Sequence, residues 1–236
     1  MAQSFGPRFS PPARWNQVSP ASTQDQLRLA FARWSRPDRI RVDNGTPWGS
    51  ARGDLPTDLG LWLAGIEVGI DYNPPATPQD NGVVERSQGT AKRWAEPQAC
   101  ATPEELRERL KIMDDIQRGE YPSVKGRSRL EAYPELASSG REFTPAWERD
   151  NWSLESVNRH LANSTGRRWA GATGYISVYN RNLYIGILDK NKHVYVNFDP
   201  LACEWVIADT EGRQLSRQVA SEISRERIMG LAVTNK

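Results

Sequence analysis

The hydrophobic pattern of this chain changes period once, near Gly166, and that change constrains the fold more than any other feature. Before it, apolar residues recur at helical spacing between short β-branched runs. After it, they alternate. Tyr175 to Tyr179, Leu183 to Ile187, Val194 to Phe198 and Trp205 to Ala208 read as short strands. Asn180-Arg181-Asn182, Asp189-Lys190-Asn191, Asp199-Pro200 and Glu211-Gly212 are the turns between them. Four or five short strands in roughly 55 residues predict a small all-β barrel. With βα units first and a compact β module second, two domains of different class are expected.

The first half supplies the βα units. Thr23-Gln24-Asp25-Gln26 fits a capping box, and Leu27, Ala30, Phe31 and Trp34 then make one buried helical stripe ended by Pro37. Arg39 to Val42 is a short strand closed by Asp43-Asn44-Gly45. An apolar helix through Leu59, Trp62 and Leu63 follows, then a strand around Ile66 to Tyr72. Asp80 or Asn81 can cap a helix to about Ala95, because both side chains accept from free amides. Thr102-Pro103-Glu104-Glu105 opens another, with Leu106, Leu110 and Met113 on its inner face. The expected ranges are a tail over 1–20, an α/β core over 21–120 and a linker with a short helix from Ser153 over 121–165. The β module takes 166–223 and a second tail 224–236.

Several classes are excluded early. Mean hydropathy is −0.68 and no apolar run nears the ~20 residues of a membrane span, so no membrane partner is expected. Cys100 and Cys203 stand in unrelated contexts, which excludes a disulfide framework and a cysteine-based zinc motif. His160 and His193 have no second ligand at metal spacing. With 31 basic and 29 acidic residues, net charge neither demands nor forbids a nucleic-acid partner.

Two acids stand out by context. Asp43 ends a strand, where α/β sheets place ligands, and the Asn-Gly after it turns the backbone away. Glu85 shares a helix face with Gln88 and Lys92. A carboxylate two turns from a lysine suits a magnesium ligand beside a phosphate-binding cation. On spacing alone Asp43 reads more readily as a turn residue and Glu85 as a partner of the helix dipole.

The strings RIRVDNGTPWGS and DYNPPATPQDNGVVERSQGTAKRW extend this pattern. They resemble the second half of the catalytic core of DDE integrases and transposases, in particular insertion-sequence transposases with a retroviral-integrase-type, RNase H-like fold. Asp43 matches the family's second acid and Glu85 its third, with Pro75, Pro78, Gln79, Asn81, Gly82 and Arg86 matching around it. The resemblance covers roughly residues 22–95, and the β module is similar to the SH3-like, DNA-binding barrel of the same proteins. It implies magnesium or manganese held by Asp43 and Glu85, DNA contacts from Arg86, Gln88 and Lys92, and DNA integration or transposition by phosphoryl transfer. It also implies homo-oligomers with full-length subunits and a bacterial cytoplasmic, nucleoid-associated setting.

Two departures stand against the family pattern. Forty-one residues separate Asp43 from Glu85, slightly more than is usual, and Trp48 to Pro56 reads as the extra loop. The family's first acid belongs on a strand well upstream. Here Asp25 falls in a first helical turn and Asp38 follows a helix-stopping proline. The expectation is therefore an N-terminally truncated core that lacks its first three strands and is inactive alone, because the shared ligand of a two-metal site is absent.

In the β module, Arg167, Arg168, Arg181, Lys190 and Lys192 interleave with Trp169, Tyr179 and Tyr184. Basic turns among aromatics suit backbone contact and stacking on nucleic acid. Two further readings stand beside the enzyme. One is a noncatalytic DNA-binding remnant acting through the β module, and the other is a protein-interaction module.

Overall fold

A computed structural model describes residues 19–49, 54–74 and 82–230. The chain is mixed α/β and divides into two compact units, one built from residues 19–74 with 142–230, the other from 82–141. The chain leaves the larger unit after residue 74 and returns to it at residue 142.

The larger unit opens with helix α1 (Pro20–Trp34). Its cap is Ser19, whose hydroxyl accepts from the Ser22 amide while Ser22 reaches back to the Ser19 amide. The helix thus begins one turn before the expected Thr23 box. Pro20 is its first residue, a position that suits proline because it lacks the amide that a first turn leaves unpaired anyway. The expected tail lies mostly outside the described residues. Phe31 is buried, while Leu27, Ala30 and Trp34 are half-buried.

Strands β1 (Arg39–Val42) and β2 (Gly69–Tyr72) pair in parallel, with Ile40 opposite Ile70 and Val42 opposite Tyr72. Helix α2 (Asp58–Gly65) makes the crossover, capped by Thr57. Leu59, Leu61, Trp62 and Leu63 are all fully buried, so this helix is apolar on every side and forms the centre of the unit. Trp152 packs so closely on it that a Cβ at Gly65 would lie 2.1 Å from the indole nitrogen.

After residue 142 the chain adds helices α6 (Pro145–Asn151) and α7 (Leu154–Ala162), each capped by the preceding hydroxyl residue, Thr144 and Ser153. Six strands follow: β3 (Thr165–Trp169), β4 (Tyr175–Val178), β5 (Arg181–Tyr184), β6 (His193–Asp199), β7 (Glu204–Ala208) and β8 (Gln214–Val219). The expected barrel is replaced by an open antiparallel sheet, β3-β6-β7-β8, and a separate β4-β5 hairpin; neither closes on itself. Alternation predicts strands but carries no record of which edges pair, and β3 and β8 fall outside the expected runs. One face of the sheet buries Val194, Val196, Phe198, Trp205 and Ile207 in a core continuous with Phe31, Trp62 and Leu161. Residues 225–230, expected as tail, form helix α8 (Arg225–Gly230) with Ile228 fully buried.

The smaller unit contains α3 (Gly82–Ala95), α4 (Pro103–Gly119) and the short α5 (Arg129–Ala132). Thr102 caps α4 as expected, accepting from the Glu105 amide. Leu106, Leu110 and Met113 are half-buried, and Trp94 meets Tyr121 edge-on at 5.8 Å. Of the residues expected in a linker, Phe143 is buried in the larger unit's core, whereas Tyr133 and Leu136 are half exposed. Both cysteines are free, Cys100 buried and Cys203 exposed.

Candidate functional site

Asp43 is the first residue beyond β1, and its side chain is exposed. The strand end is fixed by two bonds. The Asn73 amide donates to the Val42 carbonyl at 2.9 Å, and Asn44 Nδ2 donates to the Asn73 carbonyl at 2.5 Å. The Gly45 carbonyl then accepts from the amides of Trp48 and Gly49, turning the chain sharply. A Cβ at Gly45 would stand 3.6 Å from Asp43 Oδ1, so the carboxylate lies over this turn. Among the described residues no hydrogen bond or ion pair engages it. Asp71 on β2 differs. Arg39 grips both its oxygens, at 2.8 and 2.5 Å, and this hydrogen bonding holds the carboxyl below the usual aspartate range.

Glu85 is in the first turn of α3, and Lys92 and Arg93 are in its last. Each charge complements the dipole at its own end. Glu85, Arg86, Gln88 and Lys92 are all exposed. Pro75, Pro78, Gln79 and Asn81, matched in sequence, lie outside the described residues, as do the candidate caps Asp80 and Asn81. Asp43 belongs to the larger unit and Glu85 to the smaller.

The basic residues of the β module divide by role. Arg168 is committed inward, donating to Asp54 at 2.7 Å and to the Ser177 carbonyl at 3.1 Å. Arg181 binds Glu222 at 2.9 Å as well as the Val219 carbonyl. Lys192 stands 3.7 Å from Asp189. Arg167 and Lys190 have no acidic partner among the described residues. Of the aromatics, Tyr179 is structural: its hydroxyl donates to the Pro56 carbonyl at 2.6 Å, and burial pushes its pKa far above the ordinary value. Tyr184 is exposed and pairs with Tyr175 at 5.0 Å. Tyr195, missed in sequence, stands out beside Arg167 across the β3–β6 ladder. The outward phase of β6 could have revealed it, since Val194 and Val196 flank it.

No protein-family model matches the sequence. Among solved structures, the chain is similar over 86% of its length to a chain in the CryoEM structure of the simian T-cell lymphotropic virus intasome in complex with PP2A regulatory subunit B56 gamma. The two are 15% identical with a TM-score of 0.40, and the match spans 64% of that chain.

Among the described residues no three His, Cys, Asp or Glu side chains gather where they could hold a metal ion. Asp43 offers hard oxygen donors suited to magnesium, but the described residues around it do not make a two-metal centre. No described helix is long and apolar enough to cross a membrane.

Proposed function

We propose that this chain serves DNA integration or transposition and contributes Asp43 and Glu85 as two of the three acids of a DDE-type site. In this reading residues 21–120 are a partial RNase H-like core, and residues 166–223 are the counterpart of an SH3-like DNA-binding module. The observation that carries it is the ordered Asp-Asn-Gly and Pro-Gln-Asp-Asn-Gly-Val-Val-Glu-Arg pattern. It is supported by an unengaged, exposed Asp43 at the C-terminal end of a parallel strand and an exposed Glu85 in the first turn of a helix. A complete family site would use magnesium or manganese. Two acids alone lack the ligand that bridges both ions, so this chain by itself is expected to bind DNA without joining it. Lys92 and Arg86 would contact phosphate, and full-length subunits of the same kind would be the natural protein partner. The test is magnesium-dependent cleavage and joining of labelled DNA by the chain, alone and mixed with a complete transposase of this type. Glu85→Gln run in parallel reports on the site. Activity equal in wild type and Glu85→Gln would remove the site from the reaction.

A second reading, a noncatalytic DNA-binding protein, is favoured by Arg167 and Lys190, which have no acidic partner among the described residues. Its test is DNA affinity at two salt concentrations. Affinity independent of salt would exclude it.

A further inference from the structure

We infer that the outward face of the open sheet binds single-stranded DNA, with unpaired bases stacked on Trp169 and Tyr195. This rests on the DNA-binding reading above and narrows it to one form of DNA and one face. The residues of that face follow from the register. Arg167 lies opposite Tyr195, which lies opposite Ala208; Trp169 lies opposite His193; Asn197 lies opposite Val206. The alternate residues Gly166, Val194, Val196, Trp205 and Ile207 are buried, so the face is fixed and its side chains stand perpendicular to it. Trp169 is 55% exposed and Tyr195 37%, on adjacent strands and diagonal to one another. The His193 ring meets Trp169 edge-on at 4.9 Å and steadies it without being a second stacked plate. Ala208 and Val206 leave the centre of the face low.

Charge is distributed unevenly over this surface. At the far end a single Arg217 pairs with both Asp199 and Glu204, which leaves an excess negative charge there. At the aromatic end Arg167 has no acidic partner among the described residues. It borders a cavity of about 280 Å³ lined also by Asp189, Lys192, His193, Asp209 and Thr210. Both acids there are already engaged, Asp209 by Arg213 at 3.0 Å and Asp189 by Lys192 and Arg213 at 3.7 and 3.6 Å. The excess cation therefore sits next to the exposed rings, as a polyanion with free bases requires. Exposed rings on an open sheet face select single strands, because a duplex hides the base faces inside its stack.

The experiment uses the full chain, fluorescence anisotropy, and two probes: labelled oligo-dT and a blunt duplex. Trp169→Ala is expected to weaken oligo-dT binding about tenfold or more, the loss of one stacked base, and to change duplex binding by less than about twofold. Tyr195→Ala should act likewise, and Trp169→Phe, which keeps an aromatic plate, should restore most of the affinity. Equal losses on both probes, or none on oligo-dT, overturn the inference. Loss of a dimer in sedimentation with oligo-dT binding unchanged would assign the face to a second copy of the chain and also overturn it. Salt-dependent duplex binding together with an inert Trp169 would leave the proposed function standing while this inference falls. Binding of neither probe would remove both.

Discussion

Trp62 Nε1 donates to Glu148 Oε1 at 2.7 Å in the core of the larger unit, so a buried carboxylate is held by an indole. Arg28 completes the arrangement with a two-pronged grip on Glu148 at 2.9 and 2.8 Å. The same grouping recurs in the β module, where Trp205 donates to Glu222 and Arg181 pairs with it. Glu148→Ala leaves the Trp62 N–H without its acceptor and removes the carboxylate that Arg28 grips. It should destabilise the larger unit by about 3–5 kcal/mol, read as a lowered urea midpoint. Glu148→Gln, which keeps an acceptor for the indole, should cost less.

Two glycines should respond oppositely to alanine. Gly65→Ala drives a methyl into the Trp152 indole and should destabilise by about 1–3 kcal/mol or more, because a packed core has no room to yield. A Cβ at Gly89 meets nothing within 4 Å, and α3 is helical there. Gly89→Ala should therefore stabilise α3 by about 0.5–1 kcal/mol. Thermal melts of the two variants check both signs.

Arg167 and Arg168 are neighbours with opposed roles. Arg167→Ala should leave the melting temperature unchanged and flatten the salt dependence of DNA binding by about one phosphate contact. Arg168→Ala should lower the melting temperature by breaking the Asp54 pair while leaving the salt slope nearly intact. Reversal of these two effects would contradict the assignment.

Arg217 holds the Asp199 carboxyl below its ordinary value by hydrogen bonding, and the Ala202 amide adds to this. A depressed carboxylate pKa stabilises the fold above the unfolded value of about 3.9 and loses that contribution as pH falls through the folded value. A carboxyl NMR titration should place the Asp199 midpoint below that of a free aspartate. Arg217→Ala should move it upward, lower stability at neutral pH and make the loss of stability with acid shallower, because the folded and unfolded values then lie closer together.

Local signals carried much of this fold. Thr102 with Pro103, the all-apolar run through Trp62, and the alternation of Val194 to Phe198 each state their own conformation, because cap, burial and period are properties of adjacent residues. Ser19-Pro20 is a signal of the same kind, a capping hydroxyl followed by a first-turn proline. What stayed hidden was pairing over distance. Arg168 reaches Asp54 across 114 positions, and no local pattern distinguishes it from the exposed Arg167. Closure of a barrel is likewise a matter of which edges meet. Asp43 and Glu85 stand out as candidates because each sits at an element boundary, where turn chemistry and side-chain exposure coincide.

Helix α8 has a consequence for synthesis. Ile228 fills the core, and the Met229 carbonyl receives the side chains of Gln24 and Arg28, which lie 205 and 201 positions earlier. A ribosome must therefore extend the chain through α8 before α1 meets this partner. Until then the apolar surface around α2 waits uncovered, and that interval is when chaperones would find most to hold.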